Sequence, residues 1–98
     1  MNRDRLSAET ILERLRELDG WELREGKLHR DYSFKDFTHA FGFMAASATV
    51  IEKMDHHPEW FNVYGKVRID IWTHSSGGVT EVDLKLAGAL EALAGRLL

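Results

Sequence analysis

The chain contains no cysteine, which excludes disulfide frameworks, thiolate metal sites and cysteine nucleophiles. No segment approaches 18 uninterrupted apolar residues, and no apolar run of the kind found in signal peptides follows residues 1–5. An excess of positive charge is also lacking, because 13 Lys and Arg stand against 16 Asp and Glu, for a net charge of -3. Direct binding to nucleic acid is therefore disfavoured. We expect a cytoplasmic protein with neither a membrane nor a nucleic-acid partner.

The remaining composition indicates one folded domain over residues 1–98. A hydrophobic content of 44% is too high for a disordered segment, and 30% charged residues is too polar for a membrane protein. The chain has no internal repeat, linker or low-complexity tract. Because a domain of this size buries only about two thirds of its unfolded surface, association into a homo-oligomer is expected.

Apolar residues recur at helical spacing in three segments. Ser7 is placed to cap the first helix and Gly20 to stop it, while Asp36 opens the second. Thr80 and Asp83 resemble a capping box at the start of the third. The second helix has a broad apolar arc, made of Phe37, Ala40, Phe41, Met44, Ala48 and Ile51 and widened by Phe43, Ala46 and Val50. This arc predicts contact with a second subunit, with deep burial inside one chain as the alternative.

Two segments, residues 21–34 and 60–73, alternate with the period of two that is typical of strands. A two-residue loop at Glu25 and Gly26 pairs Leu23 with Leu28, and a turn near Gly65-Lys66 defines a second hairpin. In the last strand Val67, Ile69 and Ile71 face inward. The element order α-β-β-α-β-β-α predicts an α+β fold, a four-stranded antiparallel sheet with three helices on one face.

The five histidines carry unequal information. His29 and His39 have the spacing of surface or packing residues. His56 and His57 lie where Pro58 forces the chain to leave a helix. If that helix persists to His56, Glu52 lies one turn earlier on the same face and orients the imidazole. Taken alone, such a pair is more often a solvated helix end than a functional site.

His74 closes the second hairpin before a loop rich in glycine and serine, a common position for functional groups. Three imidazoles raise the alternative of a zinc site. Against zinc, the chain lacks an HExxH motif, and adjacent histidines in extended backbone point apart. Trp60 and Tyr64 could stack on a flat heterocycle or simply pack in the fold.

Taken together, these residues have a recognisable spacing. The run Glu52-x-x-x-His56-His57-Pro58, followed by Tyr64, His74 and Asp83, resembles the signature of the pterin-4a-carbinolamine dehydratases, also called 4a-hydroxytetrahydrobiopterin dehydratases. Residues 34–37, 40–44 and 57–64 are also typical of that family, and the similarity covers about residues 6–94.

The resemblance implies dehydration of a 4a-hydroxytetrahydropterin to the quinonoid dihydropterin, which supports recycling of the pterin used by aromatic amino acid hydroxylases. It implies no metal and no organic cofactor, and assembly into homodimers or homotetramers. The implied catalytic residues are His56, His57 and His74. The implied orienting carboxylates are Glu52, Asp55 and Asp83, and the implied pterin contacts are Trp60, Tyr64 and Pro58.

Two points stay open at this level. The resemblance does not assign which histidine acts as acid and which as base. The chain also has Val82 where animal members of the family commonly carry arginine, which puts substrate affinity in question. The alternative function is a non-catalytic scaffold that binds a protein partner, such as a dimeric transcription factor, through a helical surface.

Overall fold

The computed structural model describes residues 2–98, which form one layer of helices and one β-sheet. In chain order the elements are α1 (Ala8–Leu15), β1 (Glu22–Arg24), β2 (Lys27–Ser33), α2 (Phe37–Met54), β3 (Glu59–Val63), β4 (Lys66–Ile71), a 3₁₀ turn (His74–Ser76) and α3 (Glu81–Gly95). The strands form one sheet in the order β1-β2-β4-β3, with every neighbouring pair antiparallel. The predicted α+β architecture and element order are confirmed.

Both predicted hairpins are present, and the inward residues of the sheet form the core. Leu23 pairs with Leu28 as the two-residue loop predicts. The buried residues of β2 and β4 and the buried face of α3 enclose this core, namely Leu28, Tyr32, Val67, Ile69, Ile71, Leu86 and Leu90. The second turn, however, lies one residue earlier than predicted. Val63 pairs with Lys66, so Tyr64 and Gly65 form the turn, and Tyr64 adopts a positive φ of 52° there.

The first helix is shorter than the sequence predicts. Ser7 caps it as expected, its side chain accepting the backbone N–H of Thr10 at 3.1 Å. The helix ends at Leu15 instead of continuing toward Gly20. Beyond it the backbone makes tighter i to i+3 hydrogen bonds, such as the N–H of Leu18 to the carbonyl of Leu15, at 3.0 Å. These turns bring the chain to Trp21, which is buried beside β1.

The buried face of α2 differs in part from the predicted arc. Its fully buried positions are Ala40, Phe43, Ser47 and Ile51. Phe37 and Phe41, which the sequence pattern assigns to the apolar face, are 54% and 57% exposed. Since the sheet accommodates only one side of α2, these two rings remain on the outer surface. Of the helices that residues 2–98 form, none combines the length and apolarity needed to cross a bilayer.

Candidate active site

The site is built around a buried pair of side chains that joins two helix ends. Asp55, at the C-terminus of α2, adopts a left-handed conformation with φ 51° and ψ 45°, and this turns the next residue toward α3. His56 Nε2 consequently lies 2.5 Å from Asp83 Oδ1, with His56 8% exposed and Asp83 fully buried. A carboxylate can only accept, so Nε2 carries the proton and donates it in this hydrogen bond. His56 is thereby fixed in one tautomer and one orientation.

Asp83 is the most heavily bonded carboxylate of the site. Its Oδ2 accepts the Thr73 hydroxyl at 2.8 Å, the Thr80 backbone N–H at 2.8 Å and the Thr80 hydroxyl at 3.3 Å. The contact with the Thr80 backbone is the carboxylate half of the predicted capping box, which stabilises the start of α3. Asp83 therefore both caps a helix and holds a histidine, two roles that the sequence left as alternatives.

His57 lies immediately after His56 but in a different environment. Its side chain is 60% exposed, and Nε2 lies 3.7 Å from Glu52 Oε1 and 3.8 Å from Asp55 Oδ1. Helical spacing predicts Glu52 beside His56, provided that the helix continues to that residue. The condition fails because α2 ends at Met54 and the left-handed Asp55 changes the direction of the chain. Glu52 consequently approaches His57, and Asp83 takes the place beside His56.

His74 is linked to the pair of His56 and Asp83 through Thr73, the residue before it in sequence. Thr73, which precedes it, donates to the carboxylate that holds His56. His74 opens the 3₁₀ turn, is exposed, and stacks on Trp72 with ring centroids 4.1 Å apart. The hydrogen bonds of Asp83 thus join the backbone segments that carry all three candidate histidines, since His57 is next to His56 and His74 is next to Thr73.

The predicted pterin contacts fall into two groups. Pro58 follows His57, and Trp60 is partly buried on the first strand after it, packed against the core. Tyr64 lies at the other end of β3, 82% exposed in the hairpin turn. Tyr64 is four positions beyond Trp60, about 13 Å along an extended strand. Pro58 and Trp60 lie close to His57 in sequence, whereas Tyr64 is at the far end of β3. The pterin contacts of all three residues stay predictions.

The other two histidines, His29 and His39, contact carboxylates outside the group formed by His56, Asp83 and their neighbours. His29 is only 2% exposed, and its two ring nitrogens contact Asp70 and Asp31, each at 2.8 Å. Burial alone would lower the pKa of His29, but the hydrogen bonds and charges of Asp70 and Asp31 outweigh it and raise that pKa. His39 contacts Asp36 at the N-terminus of α2, and its hydrogen bonds lower the pKa of Asp36.

Two threonines beside the candidate histidines were not predicted as part of a site, Thr73 not at all and Thr80 only as a helix cap. Their hydroxyls lie 2.9 Å apart, both buried, and both contact Asp83. The available signal was a threonine one residue before His74 and another three residues before Asp83. In residues 2–98 no three histidine, aspartate or glutamate side chains are grouped so that they could hold a metal ion.

Comparison with known proteins places this geometry in a family. The sequence pattern described as "Pterin 4 alpha carbinolamine dehydratase" matches residues 4–93. A protein of Solibacter usitatus, provisionally named pterin-4-alpha-carbinolamine dehydratase, is 53% identical over 90 residues, which cover 92% of this chain and 95% of that protein. A protein of Brucella ovis with the same provisional name is 50% identical over 97 residues, covering 97% of this chain and all of the relative.

Solved structures agree at the level of the fold. A crystal structure of a transcriptional coactivator/pterin dehydratase from Brucella melitensis is 50% identical and superposes with a TM-score of 0.90, covering 94% of this chain and 100% of that one. A pterin dehydratase-like RuBisCO assembly factor of the alpha-carboxysome shares the fold alone, with a TM-score of 0.64 at 22% identity over 76% of this chain and 87% of its own. The match over residues 4–93 and the two relatives at 50% identity or more show that this chain belongs to the pterin-4-alpha-carbinolamine dehydratases, a family of hydro-lyases.

Proposed function

We propose that this protein dehydrates 4a-hydroxytetrahydropterin to quinonoid dihydropterin and water by histidine acid/base catalysis. The observation that carries the proposal is the buried hydrogen bond between His56 and Asp83, whose carboxylate also binds the segment that carries His74. Family membership supports the pterin substrate and the type of reaction. The histidine geometry supports the mechanism, and the reaction supports the recycling of a pterin cofactor.

The reaction needs two proton transfers, and the site has groups for both. The bond between C4a and the hydroxyl oxygen breaks as that oxygen gains a proton and leaves as water. N5 loses its proton, and the electron pair of that N–H bond forms the C=N bond to C4a. A positioned acid and a positioned base each contribute roughly 10² to 10⁴ in rate.

His56 has the geometry of the base. Its Nε2 donates to Asp83, so in the neutral imidazole the lone pair lies on Nδ1, the nitrogen able to accept a proton from substrate. The Asp83 carboxylate stabilises the imidazolium that forms and keeps the tautomer correct, as in other histidine–carboxylate pairs. Asp83 is buried and accepts from both Thr73 and Thr80, so it is held in place before the substrate binds.

His57 and His74 are the candidates for the acid. Both side chains are more exposed than that of His56, which leaves either of them open to a ligand. The carboxylates of Glu52 and Asp55 lie within 4 Å of His57 Nε2. Pro58 and Trp60 follow directly and supply a rigid, partly apolar wall for a flat ring.

The test is to compare alanine variants of the three candidate histidines, and of one control histidine, in a dehydratase assay. We expect His56→Ala, His57→Ala and His74→Ala each to lower turnover by roughly 10² to 10⁴. His39→Ala is the matched control, because His39 is also a helix-end histidine paired with an aspartate, at 2.6 Å from Asp36, but lies outside the site. Turnover of His57→Ala equal to that of the wild type would refute the site assignment.

A complementary assay adds the protein to an aromatic amino acid hydroxylase reaction. The 4a-hydroxypterin intermediate should disappear faster when wild-type protein is present, and at the uncatalysed rate when the His57→Ala variant replaces it. An unchanged rate with wild-type protein would contradict the proposed activity itself.

We further propose a homo-oligomer, a dimer or tetramer, built on the outer face of α2. Phe37 and Phe41 lie on this face, with ring centroids 5.8 Å apart, and each is more than half exposed. Phe41→Glu should shift the mass in sedimentation velocity toward the 11.2 kDa monomer. Leu12→Glu is the control, since Leu12 is equally exposed but lies on α1. A wild-type protein that is itself monomeric would contradict the proposal.

The same exposed face favours one alternative, a scaffold that binds a protein partner such as a transcription factor without catalysis. The Brucella melitensis relative carries the description transcriptional coactivator beside pterin dehydratase. The two functions separate by mutation. His57→Ala should abolish dehydration and leave binding through α2 intact, whereas Phe41→Glu should disturb assembly first.

A further inference from the structure

Trp72 is placed to control the orientation of His74. The two rings are stacked, with centroids 4.1 Å apart and planes inclined by 22°. Between them in sequence, Thr73 is buried and donates to Asp83 on the helix-covered side. The alternation of side chains at the end of β4 therefore sends Thr73 to the buried carboxylate and leaves Trp72 and His74 together on the other side.

Trp72 is itself held from neighbouring strands. Lys27 Nζ, from the start of β2, lies 4.0 Å from the centroid of the Trp72 ring, which is the geometry of a cation–π contact. The same ammonium lies 3.6 Å from Glu59 Oε1 on β3. Lys27 thus ties the Trp72 indole to the rigid part of the sheet, whereas His74 lies on an exposed three-residue turn.

An exposed imidazole on a short turn populates several staggered rotamers, and only one of them presents its nitrogens correctly to a substrate. Stacking of aromatic rings favours the stacked arrangement by roughly 2- to 10-fold in population. A group that must deliver or accept a proton benefits directly, because turnover scales with the fraction of molecules in the reactive geometry.

We propose that Trp72 is a positioning residue that holds the His74 imidazole for proton transfer, and that Lys27 positions Trp72 in turn. This inference rests on the proposed function of His74, although the stack can be tested separately. It extends the site onto the open face of the sheet, opposite the helices. There the chain provides an aromatic platform for one histidine, while a carboxylate on the helix side holds another.

The test compares Trp72→Leu with Trp72→Phe and with a matched control, Phe61→Leu. Phe61, like Trp72, is an aromatic residue beside a cation on the sheet, with Arg68 4.9 Å from its ring, but it lies on β3, away from His74. We expect Trp72→Leu to lower kcat roughly 3- to 10-fold with little change in KM, Trp72→Phe to retain most of kcat, and Phe61→Leu to match the wild type. Lys27→Gln should give a smaller loss in the same direction.

NMR provides a readout that a purely structural role would not change. In the wild type the carbon-bound protons of His74 should be shifted upfield by the Trp72 ring current. The shift should persist in Trp72→Phe in reduced form and vanish in Trp72→Leu, while the signals of His56 stay in place. If Trp72→Leu does not fold, Trp72→Phe and Lys27→Gln still test the inference through kcat and the His74 shift.

The possible outcomes separate the two proposals. An unchanged kcat in Trp72→Leu, with the upfield shift of His74 lost, would overturn the positioning role and leave the proposed dehydratase intact. A wild-type protein that shows the shifted His74 signals but no dehydratase activity would instead refute the proposed function. A His74 signal at the ordinary position in the wild type would overturn the stack itself.

Discussion

Replacing Asp83 by asparagine is the sharpest single perturbation of this site, because the side chain keeps its size while its chemistry changes. The carboxylate accepts from His56 on Oδ1 and from Thr73 and the Thr80 N–H on Oδ2. An amide has one oxygen and one NH₂ group. With its oxygen toward Thr73 and Thr80 it preserves the cap of α3, and its NH₂ then faces Nε2 of His56.

Two donors cannot face each other, so the imidazole must change tautomer, with the proton on Nδ1 and the lone pair on Nε2. His56 then no longer acts as a base toward substrate, because Nδ1, the nitrogen directed away from position 83, carries a proton and cannot accept another. We expect Asp83→Asn to lower kcat by about 10² to 10⁴. Replacing the buried, charge-assisted hydrogen bond by a neutral one costs about 1–1.5 kcal/mol. Each kcal/mol lowers the melting temperature of a domain this size by about 4–8 °C.

Asp36→Asn is the control for this experiment. Asp36 also caps a helix and contacts a histidine, at 2.6 Å from His39, but on an exposed surface. Asparagine caps helices about as well as aspartate, so this variant should keep both its activity and its melting temperature close to those of the wild type. Long-range ¹H–¹⁵N spectra report the tautomer of His56 directly. Wild-type turnover by folded Asp83→Asn, or an unchanged tautomer, would refute the reasoning.

The remaining predictions concern stability, pH and metal. The pKa of His29 is raised in the fold, so its contribution is complete below its ordinary pKa of 6.5 and is lost as pH rises through the higher folded-state value; urea unfolding between pH 6 and 9 should show this decline, and His29→Gln should remove it. Gly65→Ala should cost about 1–3 kcal/mol, since a Cβ there would lie 2.5 Å from the carbonyl oxygen of Phe34. Gly88→Ala, in an open part of α3, should instead stabilise by about 0.5–1 kcal/mol; equal melting temperatures for the two would contradict the packing argument. Dehydratase activity should survive dialysis against a chelator, and loss of activity with rescue by zinc would revive the zinc alternative.

The sequence predicts the elements of this fold well because their signals are local. The caps at Ser7 and Asp36 and the pairing of Leu23 with Leu28 depend on residues a few positions apart. What the sequence misplaces depends on tertiary packing. The periodicity of α2 cannot show that the sheet covers Phe43 and leaves Phe41 outside, because both are apolar and two positions apart. The left-handed Tyr64 likewise moved a turn by one residue.

The candidate site shows the same division. The resemblance implies three histidines and three carboxylates as site residues, but it does not predict which carboxylate contacts which imidazole. Glu52 has the right helical spacing from His56, but the left-handed Asp55 ends the helix before His56. His56 therefore contacts Asp83, which is 27 residues away in sequence. The burial of His29 between Asp31 and Asp70 was also beyond the sequence, because one of these partners lies on another strand.

The position of Asp55 explains why two adjacent histidines can take different roles. A continuing helix would place His56 and His57 about 100° apart on one surface, both partly solvated. The left-handed residue before them and the proline after them instead separate the two side chains, so that His56 is buried and His57 is exposed. A buried imidazole held by a carboxylate keeps a fixed tautomer, whereas an exposed one can exchange its proton with solvent between turnovers. In the proposed dehydration the buried His56 is the base and the exposed His57 a candidate acid, and the end of α2 provides both within two residues.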